Sequence, residues 1–151
     1  MTMRPIVCSV DDSVGARAAL RVASELADML DARLVLVHVA PPTEAPGVSA
    51  APAGQERLRE AEYADARALL ESMAKEAGLD DGIELRTATG SASERTVEIS
   101  REEDAALVVL GSRGRGDLKS AVLGSVSHEI ASNAPCPVVI VSPGAADRSL
   151  R

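Results

Sequence analysis

Residues 33–39 read Arg-Leu-Val-Leu-Val-His-Val, and an apolar run with so little alternation has no face to offer water. A strand of this kind is covered on both sides, as in a parallel sheet sandwiched between helices. Segments 6–10, 106–110 and 137–142 read as further buried strands. Segment 83–88 alternates apolar and polar residues, as an edge strand does. Helical patterns stand between them. Ala16, Leu20, Ala23, Leu26, Ala27 and Leu30 fall on one stripe of a helix over 14–30. A helix over 55–77 turns Leu58, Ala61, Leu69, Leu70, Met73 and Ala77 inward and stops at Gly78. Ser91 and Glu94 have capping-box spacing for a third helix with a thin apolar face, Thr96, Val97 and Ile99. A fourth, over 126–134, ends before Pro135. Alternating β and α segments joined by right-handed crossovers give an α/β fold: an open doubly wound five-stranded parallel sheet with helices on both faces.

The chain has 151 residues, enough for a single three-layer domain over 1–151. It contains no Phe or Trp and only one Tyr, Tyr63, so its core must be built from Val, Leu, Ile and Ala. Single-stranded nucleic acids are held by stacking on aromatic rings and duplexes by basic surfaces. A net charge of −7 and so few rings exclude that class of partner. No stretch approaches the roughly 20 apolar residues of a membrane span, and the N-terminus has no signal-peptide layout, so a cytoplasmic protein is expected. Cys8 and Cys136 lie in or beside strands, outside any Cys-x-x-Cys or metal-ligand spacing, and read as free thiols. His38 and His128 have no second ligand at metal spacing; the first reads as a strand-end packing residue, the second as a helix-surface residue. Segment 40–54, rich in Pro, Ala, Gly and Ser, reads as a mobile loop, and 143–151 as a frayed tail.

The chemistry is concentrated after the fourth strand. Segment 111–127 carries four glycines (Gly111, Gly114, Gly116, Gly124), three cations (Arg113, Arg115, Lys119) and hydroxyls at Ser112, Ser125 and Ser127. Glycine lets backbone N–H groups turn toward a ligand unhindered by a Cβ. The helix N-terminus that follows adds unpaired donors and partial positive charge, so strand, glycine loop and helix start together suit phosphate oxygens. Neither familiar phosphate motif fits. Asp117 stands where a P-loop needs lysine, and Lys119 stands where a dinucleotide fingerprint needs its third glycine.

What remains, Gly111-x2-Gly114-x9-Gly124-Ser125, resembles the nucleotide signature of the universal stress protein family, in its ATP-binding branch. Strand one followed by Asp11-x-Ser13, the Leu-Val-His-Val of 36–39 and the Ala134-to-Val141 closing strand are similar to further family segments, and the resemblance runs from 6 to 142. It departs at Asp12, where many members have glycine, at Ala92, where proline is common, and at Ala106, where an aspartate often precedes strand four. The resemblance implies strand order 3-2-1-4-5, with the loops after strands one and four facing each other across one crevice. It implies that ATP is held there, with Mg²⁺ carried by the phosphates. Asp11, Ser13 and Val39 would hold the nucleoside end, Leu110 would pack on it, and Gly111, Arg113, Gly114, Gly124, Ser125, Val126 and Ser127 would hold the phosphates. Asp11 and Asp12 have an alternative role in stabilising a helix start.

Hydrolysis needs a positioned water and a base besides a phosphate cradle, and no residue stands out for that work. An ATP-dependent regulatory module with an unidentified protein partner is therefore expected, with little or no turnover. The alternatives are a nucleotide-independent interaction protein of the same fold and, behind it, an adenylyl- or phosphoryl-transferring enzyme. The apolar strand over 137–142 lies at a sheet edge in the implied order, and an exposed apolar edge tends to pair with another chain. A homodimer joined there is expected.

Overall fold

The computed structural model of the chain describes residues 3–42, 52–79, 81–112, 123–145 and 148–151. Five parallel strands, β1 (Met3–Ser9), β2 (Ala32–Ala40), β3 (Ile83–Thr89), β4 (Leu107–Gly111) and β5 (Val138–Val141), form one sheet in the order β3-β2-β1-β4-β5. Helices α1 (Val14–Leu30), α2 (Pro52–Glu76), α3 (Ala92–Glu102) and α4 (Ser125–Asn133) alternate with them. The expected fold class and strand order are both found.

Side-chain alternation along each strand divides the core into two layers. Ile6, Cys8 and Val10 of the first strand segment, with Leu34, Leu36 and Val109, pack under Leu20 and Ala23 of α1 and Leu70 and Met73 of α2. Val7, Val35, Val37, Val39, Val108 and Leu110 pack on the opposite face with Val97 and Ile99 of α3 and Ile130 of α4. Fully burying a Val, Leu, Ile or Met side chain contributes about 1.5–3 kcal/mol, so aliphatic interdigitation suffices without aromatic rings. Glu103 clamps the sheet's other end: its carboxylate accepts from Arg86 at 2.5 Å and Arg33 at 2.9 Å, and Arg86 also reaches Glu102 at 2.7 Å.

Several boundaries differ from the sequence reading. Ala40 still belongs to β2, and residues 52–54 already belong to α2, which opens on Pro52, where a fixed φ and a missing N–H do no harm. Only 41–51 therefore separate these elements, and 43–51 lie outside the described residues. Ala61 and Ala77 are exposed; Ala66, Leu70, Met73 and Ala74 form the buried face of α2. The buried residues of this 25-residue helix all lie in its second half, Ala66 to Ala74.

The C-terminal segment, expected to fray, makes several contacts among its described residues. Pro143–Ala145 form a 3-10 turn whose Ala145 carbonyl accepts from Arg21. The Ser149 hydroxyl and the Leu150 N–H donate to Glu25 at 3.2 and 2.6 Å, and Arg151 pairs with Asp28 at 3.4 Å. Carboxylates on the flank of α1 hold the segment.

Candidate functional site

β1 and β4 are hydrogen-bonded neighbours with Ser9 beside Leu110. From their ends the chain departs toward opposite faces, to α1 over one layer of the core and to α4 over the other. A crevice at the strand C-termini is the unavoidable result of such a reversal, and it is where ligands of open α/β sheets bind.

On the β1 side, Asp11 and Ser13 are committed locally. Asp11 Oδ1 accepts from the Ser13 N–H at 2.9 Å, and Ser13 Oγ caps α1 by accepting from the Ala16 N–H at 3.1 Å. The helix-start role held open for Asp11 is thus present in the structure. Asp12 is exposed and accepts from Arg17 at 3.3 Å; Arg17 also pairs with Glu76 at 3.0 Å. The Glu76 hydrogen bond, reinforced by Asp12, raises the Arg17 pKa above its ordinary value. Asp12 therefore sits in a surface ion-pair network rather than as an isolated charge.

On the β2 side, backbone direction matters more than residue type. The Val37 carbonyl accepts from the Val10 N–H at 2.8 Å, toward β1, and the Ala40 carbonyl accepts from the Gly90 N–H at 3.0 Å, toward β3. Peptide groups alternate sides along a strand, so Val39 turns its N–H and carbonyl to the β1 side, beyond the point where β1 has ended at Ser9. The Val39 side chain is buried in the α3/α4 layer. His38 Nδ1 lies 2.8 Å from the Val10 carbonyl, and with a carbonyl partner this nitrogen must carry the proton.

On the β4 side, the Gly124 N–H donates to the Ser112 carbonyl at 2.9 Å, bringing the two ends of segment 113–123 together. Ser127 Oγ is within reach of the Ser112 carbonyl at 3.1 Å and the Gly124 carbonyl at 2.9 Å. Ser127 is only 3% exposed, and its hydroxyl links the residues on either side of the loop. Gly124 is the N-cap of α4 and offers no side-chain acceptor. The first intrahelical bond runs from the His128 N–H to the Gly124 carbonyl. The N–H groups of Ser125, Val126 and Ser127 therefore have no partner within the helix. α1 is capped by its own serine, whereas the start of α4, where the helix dipole is positive, has no side-chain cap.

Leu110 is 4% exposed and packs with Val97 and Ile130, so its side chain offers almost no surface to a nucleoside. Gly111 answers a packing demand: an added Cβ would lie 3.0 Å from the Gly15 backbone in the first turn of α1. Arg113 and Gly114 lie outside the described residues. The sequence reading missed the carbonyl of Ser112 and the close approach of Gly15, because backbone contacts leave no mark on residue type. It also missed the Ser9–Thr96 hydroxyl pair, 3.1 Å apart, which ties the end of β1 to α3.

Cys8 is fully buried, and burial pushes its thiol up to about 12; Cys136 is half-buried and shifted the same way by desolvation. Among the described residues no group of three or more His, Cys, Asp or Glu is placed to hold a metal ion, and no helix is long and apolar enough to cross a membrane.

The model of the universal stress protein family matches residues 2–142. A universal stress protein of Thermus aquaticus is 34% identical over 143 residues, covering 91% of this chain and 98% of the relative. One from Bacillus subtilis is 39% identical over 70 residues, which are 45% of this chain and 47% of the relative; this match and several others span about half the relative's length. The solved structure of UspA from Lactobacillus plantarum superposes with a TM-score of 0.72 at 22% identity, covering 93% of this chain and 99% of that one. A universal stress protein in complex with cAMP gives 0.61 at 24% identity, covering 91% and 96%. One from Archaeoglobus fulgidus in complex with dAMP gives 0.60 at 23%, covering 93% and 99%.

Proposed function

Since this chain belongs to the universal stress protein family, we propose that it is a regulatory module that binds ATP in the crevice beyond β1 and β4. The observation that carries the reading is the contrast between the two helix starts: α1 is closed by Ser13, whereas α4 begins on Gly124 without a side-chain cap. Three N–H donors and a helix dipole at one end of a glycine-rich segment are a donor set suited to phosphate oxygens. Their chemistry fits a triphosphate, whose Mg²⁺ is held chiefly by phosphate oxygens and water. The cAMP and dAMP complexes of structural neighbours support an adenine nucleotide as the ligand class.

In this reading the N–H groups of Ser125, Val126 and Ser127 bind phosphate, assisted by Gly111, Arg113 and Gly114 from the loop. The backbone of Val39 reads the base edge, and Asp11 receives ribose hydroxyls through the lone pairs its Ser13 contact leaves free. Ser13 and Ser127 position the site: one sets the start of α1, the other closes the loop ends. Leu110 supports its floor from within the core. Binding changes the surface that this side of the crevice presents to a protein partner. The protein acts in the cytoplasm as a homodimer joined through β5, whose Val138, Val139 and Ile140 are half-buried along a sheet edge.

A second reading, an interaction protein that uses no nucleotide, draws on the local roles already filled by Asp11, Ser13 and Ser127. Calorimetry with ATP and Mg²⁺ separates the two. Saturable one-to-one binding supports the first; no heat at millimolar ATP, with no adenine nucleotide released from the purified protein on heating, supports the second.

A further inference from the structure

The end of β1 is clamped by β2 in an asymmetric way. Val10 lies one residue past the strand and one before Asp11. Its N–H donates to the Val37 carbonyl at 2.8 Å, an ordinary continuation of the ladder. Its carbonyl is taken by a side chain, His38 Nδ1, also at 2.8 Å. Both polar groups of Val10 are thus fixed by adjacent residues of β2, one through the backbone and one through an imidazole. The peptide that follows leads directly into Asp11, whose Oδ1 accepts from Ser13.

We propose that His38 is a positioning residue for the nucleoside half of the site: by holding the Val10 carbonyl it fixes the Val10–Asp11 peptide and hence the direction of the Asp11 carboxylate. The inference rests on the ATP-binding reading and deepens it, since it assigns the two ends of the ligand to separable devices. His38 acts on the β1 turn, which would meet ribose. The Ser112–Gly124 closure and the bare start of α4, which would meet phosphate, belong to the other wall. The histidine need not touch the ligand. What the arrangement demands is a donor at the Nδ1 position, and asparagine places an amide N–H₂ close to that position while leucine places a methyl group.

The test uses the full chain, three ligands and two variants. H38L removes the donor; H38N restores one. Wild-type protein and both variants are titrated by calorimetry with ATP, with 2′,3′-dideoxy-ATP and with inorganic tripolyphosphate, each with Mg²⁺, after circular dichroism has compared the folds. H38L is expected to weaken ATP roughly tenfold, the scale of one lost hydrogen bond, while leaving tripolyphosphate unchanged. The dideoxy nucleotide, which has no hydroxyls for Asp11 to receive, is expected to lose less than ATP. H38N should recover most of the ATP affinity. A general structural effect of H38L would instead weaken all three ligands alike, and that result overturns the proposal. Equal ATP affinity in wild type and H38L overturns it too, and leaves the nucleotide reading standing. Wild type binding none of the three overturns both. Should H38L fail to fold, H38N carries the test: ATP affinity within about threefold of wild type with a native dichroism spectrum is expected, and a tenfold loss on that spectrum overturns it.

Discussion

Replacing Gly111 by alanine tests how the site is framed. An added Cβ would sit 3.0 Å from the carbonyl carbon and oxygen of Gly15 and 3.4 Å from the Ala16 nitrogen. Comfortable carbon contacts begin at about 3.5 Å, so the overlap is roughly half an ångström and falls on backbone atoms that cannot swing aside. α1 is pinned at this turn by the Ser13 cap, and β4 is held between β1 and β5. Relief requires sliding the first turn of α1 off the end of β4, an overpacking cost of about 1–3 kcal/mol. In a domain of this size each kcal/mol lowers Tm by roughly 2–4 °C; a central cost of about 2 kcal/mol predicts a fall of roughly 4–8 °C. Gly78 supplies the control. Its φ is +71° and an added Cβ meets nothing within 4 Å, so G78A carries backbone strain of about 1–2 kcal/mol and does not touch α1. Thermal unfolding compares the two, and amide exchange locates the damage. G111A should accelerate exchange in the first turn of α1, while G78A should not. Wild-type Tm and unchanged protection in G111A would refute the packing argument.

Three further expectations follow from the same coordinates. Burial raises the Cys8 thiol to about 12 and Cys136 less severely, so a thiol reagent at pH 8 should label Cys136 in the native protein and reach Cys8 only on unfolding; equal native labelling would contradict the packing of β1. Glu25 is held below its usual carboxyl value, first by the Leu150 N–H and further by Ser149 and Arg21. A depressed carboxyl contributes stability above its unfolded value, about 4.3, and loses it as the pH falls through the folded value. Protection of the Leu150 amide should therefore fade only below the ordinary carboxylate range and be absent at all pH values in E25A, which has no side-chain acceptor; unchanged protection in E25A would place the tail elsewhere. Light scattering at micromolar concentration should give a dimer, and I140K, which puts a charge on the β5 edge, a monomer; a wild-type monomer rejects the edge-pairing proposal.

The architecture was legible because burial on both faces leaves a visible mark. The almost continuously apolar run of 33–39 points to a covered strand, and the alternation of 83–88 points to an edge, where every residue of β3 is indeed half-buried. The family resemblance, not periodicity, supplied the strand order. Less of the candidate site was legible, for reasons that differ residue by residue. Gly111 reads as a phosphate-loop glycine from its spacing, but its contact with Gly15 joins segments about a hundred positions apart and is invisible locally. Ser127 looks like a ligand hydroxyl until its burial and two carbonyl neighbours are seen. The direction of the Val39 peptide depends on strand register and not on valine. Ala61 and Ala77 fit a helical stripe, yet Ala61 is exposed within α2 and Ala77 follows its last residue, Glu76; a stripe does not mark where packing stops.

A crystal structure grown with saturating ATP and Mg²⁺ examines most directly whether an anionic ligand meets the uncapped start of α4. Phosphate oxygens are expected within hydrogen-bond distance of the Ser125, Val126 and Ser127 N–H groups, with the base beside Val39. Phosphates bound elsewhere, or a Ser112–Gly124 crevice that closes on its own side chains and admits no nucleotide, would contradict the nucleotide reading.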